Sequence, residues 1–303
     1  MNRHPTLLGV PVDSSGKPGG NECSPMVLRQ CGLADAVNAQ SDLHDLPVRI
    51  VGTRDAGSGV VGFESVLHLT TTVREEVLRV LKCGELPLLV GGCCSFIMGA
   101  IAAARDVHDR IGLVYIDGHL DLYDGKTSPT GDCADMPIAF LLGLAPSELA
   151  QRMGTSSPLY PRDVALLGYR DLEDARSKGS VMPEYFGGDL YLADDVSVIA
   201  RRPSAVGQLV RQSMEQGPRR FWIHLDFDVL NDQVFPAVDY PSPGGLNWPQ
   251  LIALLKPLVS SDGLIGMSLA CYNPDRDPGF RYAREAVDAL RQVFTLQTAR
   301  QES

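Results

Sequence analysis

The chain has 303 residues, 44% of them hydrophobic, and a formal net charge of -10. That length can bury a large core, in one α/β domain or two smaller ones. The negative balance argues against nucleic acid or an anionic membrane as partner, and no stretch approaches the roughly 18 apolar residues of a membrane span.

Met1-Asn2-Arg3-His4-Pro5 leads into a very short apolar run that meets Pro11 and Asp13, which is not the pattern of a signal peptide. There are seven cysteines, an odd number with no framework spacing. Together these point to a reducing compartment, the cytoplasm, with thiols free or bound to metal.

In chain order, candidate strands are Leu7–Val10, Val48–Val51, Pro87–Val90, Gly112–Asp117, Val164–Gly168, Val196–Ile199, Phe221–Phe227 and Leu264–Ala270. Several are rich in Val, Ile and Leu without polar alternation, as strands covered on both faces should be. Helical spacing of apolar residues marks Val66–Leu81, Phe96–Arg105, Ala205–Gln216, Trp248–Val259 and Arg281–Thr295. Gln297–Ser303 reads as a short polar tail. Strand and helix alternate, so the expectation is a three-layer α/β/α fold around a mainly parallel sheet of about eight strands. No repeat, low-complexity segment or linker appears, and residues 1–303 read as one domain.

Two acidic clusters follow apolar runs: Asp117-Gly118-His119-Leu120-Asp121 and Asp226-Phe227-Asp228. Their steps of two would turn Asp117, His119 and Asp121 to one side of a strand, and likewise Asp226 and Asp228. Ligands of parallel sheets sit beyond the carboxyl ends of the strands, so both clusters should meet at one rim. Gly91-Gly92 would end a third strand there, with Cys93, Cys94 and Ser95 opening the next helix. Four carboxylates and an imidazole aimed at one place repel unless cations sit between them. A single Asp at a strand end is as readily a turn former or a cap, but the whole set asks for metal, and for two ions.

These residues resemble the arginase/agmatinase (ureohydrolase) family over nearly the whole chain. Gly9-Val10-Pro11, Gly19-Gly20, Pro25, Leu28-Arg29 and Gly32-Leu33 are similar to its N-terminal segment. Gly91-Gly92-Cys93-Cys94-Ser95 falls where the family has Gly-Gly-Asp-His-Ser, and Asp117–Asp121 matches its Asp-Ala-His-x-Asp. Asp226-Phe227-Asp228, Pro243-Gly244-Gly245-Leu246 and Asn273-Pro274 match its later landmarks in order. The resemblance implies an arginase-like fold, a trimer or hexamer, and two manganese ions sharing carboxylates and a bridging hydroxide. By position, one ion would use Cys94, Asp117, Asp121 and Asp226, and the other His119, Asp117, Asp226 and Asp228. The hydroxide would attack a trigonal carbon bonded to nitrogen in a small-molecule substrate, with Asp228 as proton carrier and Asp121 beside it.

Three departures qualify the match. Cys94 stands in place of a histidine ligand. A thiolate is soft and favours zinc, iron or nickel over manganese, while the plain reading makes Cys94 a small buried residue. Cys271 occupies the position of the glutamate that pairs with the guanidinium, and a neutral thiol cannot form that bidentate pair. This counts against arginine or agmatine, though not against an amide, formimino or other C–N group. Ala134 replaces a loop histidine that moves protons, leaving Asp132, Asp135 or His224 as candidate relays, with loop caps and a core role as their bland alternatives. Glu173 falls where an acidic residue receives the substrate's amino end. The expectation is therefore a metal-dependent hydrolase of a linear non-peptide C–N bond. The alternative is a catalytically impaired arginase-fold protein with a binding or regulatory role.

Overall fold

A computed structural model describes residues 4–295, so the tail expected at Gln297–Ser303 lies outside the described residues. The strands are β1 (Pro5–Val10), β2 (Ser41–Asp42), β3 (Leu86–Gly91), β4 (Gly112–Ile116), β5 (Val164–Leu167), β6 (Tyr191–Ala193), β7 (Phe221–Asp226) and β8 (Leu264–Ala270). They form one sheet in the order β2-β1-β3-β8-β7-β4-β5-β6, and every pairing is parallel.

The β1, β3, β4, β7 and β8 side chains are buried throughout, because helices cover both faces. Alternate residues divide between two apolar layers. Leu8, Leu89, Leu113, Tyr115 and Trp222 face one side. Leu7, Leu88, Val114, Ile223 and Leu225 face the other. The helices include α1 (Ser24–Gln30), α2 (Phe63–Lys82), α3 (Ile97–Val107), α4 (Leu172–Ser177), α5 (Asp195–Ala200), α6 (Pro203–Gln216), α7 (Trp248–Val259) and α8 (Arg281–Phe294); short helices also form at Leu33–Ala36, Pro137–Ala139 and Ser147–Met153. Helices α2 and α3 join the first layer. Helices α1, α6, α7 and α8 join the second. This is the three-layer arrangement expected from the alternation of elements.

Two expected strands are corrected. Val48–Val51 forms no strand; Val48 and Ile50 are buried, but the backbone there joins no ladder. The edge position belongs to Ser41–Asp42, two residues paired with Thr6 and Leu7. Val196–Ile199 is helical, inside α5, because Asp194 caps it: the Ser197 N–H donates to Asp194 Oδ1 at 2.7 Å. The other edge strand is β6, paired with β5.

Register carries the chemistry to one rim. Ile116 lies opposite Leu225, and Asp226 opposite Ala270. Asp117, Asp226 and Cys271 therefore leave adjacent strands at about the same height. Strand β3 ends beside β8 on one side and β1 on the other, which brings Cys94 and Asp13 to the same edge.

Gly92 clamps this rim. Its N–H donates to Val10 O at 3.1 Å, and its carbonyl accepts the Cys271 N–H at 2.6 Å. A Cβ at Gly92 would lie 1.8 Å from Val12 O. Gly92→Ala should therefore lower stability by about 1–3 kcal/mol through overpacking, read as a lower denaturation midpoint. An unchanged midpoint would contradict this close approach.

Candidate metal centre

The acidic clusters converge, but not by strand alternation. Strand β4 stops at Ile116, and residues 117–121 form a tight loop. Asp121 turns the chain with a φ of 50°, a left-handed conformation that Asp tolerates better than most residues. Asp226 ends β7 and accepts the Asp228 N–H at 2.7 Å on Oδ1, so it caps the short turn that presents Asp228. The carboxylates thus organise their own loops: Asp117 Oδ1 accepts the His119 N–H at 2.7 Å, and Asp228 Oδ1 accepts the Gly118 N–H at 2.9 Å.

Among the described residues, three groups of metal-ligand atoms result; the third joins Cys94 and Asp117 to the buried His224. His119 Nδ1 lies 3.0 Å from Asp228 Oδ2 and 3.6 Å from Asp117 Oδ1. One ligand atom from each of Asp117, His119 and Asp228 falls within 4.8 Å of the others, a hard oxygen–nitrogen set suited to manganese. Beside it, the Cys94 thiol donates to Asp226 Oδ2 at 2.9 Å, and Cys94 Sγ lies 3.8 Å from Asp117 Oδ2 and 3.6 Å from Cys271 Sγ. Ligand atoms of Cys94, Asp226 and Cys271 also lie within 4.8 Å of one another. Asp121 stands next to both, its Oδ2 accepting the Tyr115 hydroxyl.

Burial opposes the charge that these groups carry. Asp117 is pushed up to about 7, by burial first and then by Asp228. Asp121 and Asp226 are held well above the carboxylate range, again chiefly by burial. Burial would lower His119 and raise Asp228, but the two attract: His119 rises well above its ordinary value, and Asp228 falls to about 2. His119 and the Arg170 guanidinium, whose Nη2 donates to Asp228 O at 2.7 Å, are the cationic groups of the chain beside the cage.

His224 is not on the cavity wall. It lies one pleat below Asp226, fully buried, stacked on Tyr115 with centroids 4.6 Å apart. Its Nδ1 pairs with Ser268 Oγ at 2.8 Å, its Nε2 has no partner, and burial pushes its pKa down to about 3, so the ring is neutral. The expected role as a proton relay to substrate is corrected on this ground: a ring sealed beneath the floor cannot exchange protons with the cavity.

The centre floors a cavity of about 420 Å³. Asp132 and Asp135 both line it, and burial pushes them up to about 6 and about 7. Asp132 is also a loop cap, accepting the Ala134 N–H at 3.0 Å. Cys271 lines the cavity. Glu173 is exposed on α4; the acids of that segment that reach the wall are Asp171 and Asp174, the latter paired with Lys178 Nζ at 2.7 Å. Sequence reasoning passed over Tyr115, Asp13 and Ser14. Asp13 and Ser14 follow β1 as Asp117 follows β4, so position beyond a strand end was the available signal. Tyr115 had one too, standing two residues before Asp117 on the same face.

The arrangement is that of an α/β protein with a carboxylate-rich candidate metal centre at the carboxyl rim of a parallel sheet. The chain belongs to the arginase family, whose model matches residues 4–295. An arginase of Bacillus caldovelox is 24% identical over 295 residues, covering 95% of this chain and 97% of that protein. Arginase-1 of Homo sapiens is 25% identical over 279 residues, covering 88% of this chain and 84% of that protein. The crystal structure of arginase from Bacillus subtilis superposes with a TM-score of 0.85 at 21% identity, covering 96% of this chain and 98% of that one. The formimidoylglutamase from Bacillus subtilis gives 0.74 at 18%, covering 97% and 87%.

The pKa shifts set a pH dependence for the metal-free protein. A carboxyl raised in the folded state stabilises below its unfolded value and loses that contribution as pH rises through its folded value. For Asp117 the window runs from 3.8 to about 7. His119, also raised, acts in the same direction. His224, pushed down to about 3, opposes them only below its ordinary 6.5. The melting temperature without metal should therefore fall between about pH 6.5 and pH 8, and a saturating divalent cation should remove the fall. A metal-free melting temperature that rises over this range would contradict the assignment.

Proposed function

We propose that this protein is a metal-dependent hydrolase of a linear, non-peptide C–N bond of amidine, guanidine or amide type. One observation carries the reading: Asp117, His119, Asp121, Asp226 and Asp228 meet on the floor of one cavity. Such a set is tolerated only around cationic charge. The donor chemistry fits two divalent cations. Asp117, His119 and Asp228 would hold one, manganese by family habit. Asp226 and Cys94 would hold the other, with Asp117 between them. Two close cations lower the pKa of a shared water and so supply a nucleophile at neutral pH.

The chain's own residues do the rest. Gly118 N–H fixes Asp228 Oδ1, leaving Oδ2 toward His119 and the cavity. Asp228 Oδ2 takes the proton released as the trigonal carbon becomes tetrahedral, and returns it to the departing nitrogen. Asp121 is kept in place by the Tyr115 hydroxyl and turns its carboxylate to the same floor. Outside the cage, Asp13, Asp132, Asp135, Asp171, Asp174 and Asp239 line the wall, with Lys178 as its one lysine. That wall favours a substrate rich in N–H donors or carrying an amino group. It can replace the lost glutamate at Cys271 in attracting a cationic tail, though not in forming its bidentate pair. The cysteine usage favours a reducing cytoplasm as the place of work, and the family resemblance favours assembly as a homo-oligomer.

The test is ammonia and urea release across a panel of amidines, guanidines and amides, with protein loaded with manganese or zinc. Turnover should depend on added cation, and Asp228→Asn should lower kcat by about 10²–10⁴-fold. His119→Ala should remove one of the two bound cations by elemental analysis. Full binding of cations without turnover of any panel member would favour the binding or regulatory role; no bound cation at all would overturn the reading.

A further inference from the structure

The family's pattern does not explain why cysteine stands at both positions 94 and 271. One change alone would remove a ligand, and the other alone would remove a substrate anchor. Together they place two sulfurs 3.6 Å apart at the end of adjacent strands β3 and β8. Two sulfurs bound to one zinc at about 2.3 Å each stand about 3.8 Å apart in a tetrahedron. The observed separation is therefore near that of two ligands of one ion, and far beyond a disulfide bond of about 2.05 Å. Asp226 Oδ2 completes a triangle, 2.9 Å from Cys94 Sγ.

The backbone enforces this meeting. Cys271 has a φ of 63°, a left-handed conformation costly for a residue with a side chain. Its N–H is bound to Gly92 O at 2.6 Å. The chain leaving β8 is thereby pulled toward the chain leaving β3, and Cys271 toward Cys94.

A second observation bears on the Cys94 side of the centre. His224 is fully buried with Nε2 unpartnered, and one of its ring nitrogens lies within 4.8 Å of a ligand atom of Cys94 and of Asp117. Ser268 Oγ accepts the Trp222 indole N–H at 3.0 Å and can accept a second proton from His224 Nδ1 at 2.8 Å. With the proton on Nδ1, Nε2 is a bare buried acceptor; with the reverse tautomer, its N–H is equally unpartnered. A buried acceptor with no donor is costly, and histidine ligands commonly have their other nitrogen fixed in this way.

We propose that Cys94, Cys271 and Asp226 form a thiolate site for a borderline divalent cation of the zinc class, with His224 packed beneath its Cys94 side. It lies beside the harder Asp117–His119–Asp228 site, so the two halves of the centre select different metals. The inference rests on the metallohydrolase reading and sharpens it. Cys271 becomes a ligand rather than the remnant of a substrate anchor, and selection of substrate passes to the aspartate wall. Three protein ligands would leave the fourth position of a tetrahedral zinc open, as in catalytic rather than structural sites.

X-ray absorption at the zinc edge of the folded wild-type protein, loaded with one equivalent of zinc per chain, tests this without any variant. The expected result is two sulfur scatterers at about 2.3 Å. Cobalt(II) loaded in place of zinc should show a thiolate charge-transfer band that loses about half its intensity in Cys271→Ser and vanishes in the Cys94→Ser, Cys271→Ser double variant. Zinc or cobalt bound through oxygen and nitrogen alone would overturn the thiolate site and leave the two-cation hydrolase standing. Failure of the protein to bind any divalent cation would overturn both. A Cys94–Cys271 disulfide that persists when the cation-saturated protein is kept under a thiol reductant would also overturn the thiolate site.

Discussion

The structure depends on a conflict of charge at one edge of the sheet. Asp117, Asp121, Asp226 and Asp228 are all buried, and they leave neighbouring strands at nearly the same height. Taking several carboxylates out of water would cost many kcal/mol if they stayed ionised and unpaired. The protein meets part of this cost locally. Backbone N–H groups of Gly118, His119 and Asp228 bind carboxylate oxygens, and Tyr115 binds Asp121. The remainder falls to protons, to His119, or to cations. Everything distinctive about the site follows from that remainder.

The fold serves the site by making the rim rigid. Parallel strands with fully buried faces fix register, since a slip of one residue would turn apolar side chains into the wrong layer. Register in turn fixes which strand ends are level. Gly92 adds a covalently inexpensive clamp: only a residue without a side chain lets the ends of β1, β3 and β8 approach so closely. Function is thus written in strand termini, while the long helices supply the layers that hold the strands in place.

Much of this was legible in the sequence. Strands β3, β4, β7 and β8 are short apolar runs, β3 and β4 followed at once by Gly92 and Asp117 and β7 ending on Asp226, and their bounds were readable to within a residue or two. The failures were at the sheet's edges. Val48–Val51 is apolar and buried yet unpaired, while the strand that pairs there is the polar Ser41–Asp42. Edge strands need bury only one side, so they lack the apolar run that marks a central strand. Val196–Ile199 was misread because a run of β-branched residues outweighed the Asp194 cap before it. At the site, the acidic clusters converge as expected, by a left-handed turn at Asp121 and a cap at Asp226 that period-two reasoning could not foresee. The nearness of Cys271 to Cys94 was invisible in a linear reading, because 177 residues separate them and only the β3–β8 pairing joins their ends.

The most direct test of the charge argument is calorimetric titration of the metal-free protein with a divalent cation near neutral pH, repeated in buffers of different ionisation enthalpy. Asp117, pushed up to about 7, and His119, raised above its ordinary value, favour protons in the absence of metal, so binding should release protons to the buffer, and the observed heat should change with buffer ionisation enthalpy. Binding heats independent of the buffer, or no binding, would contradict the view that cations replace protons in this cage.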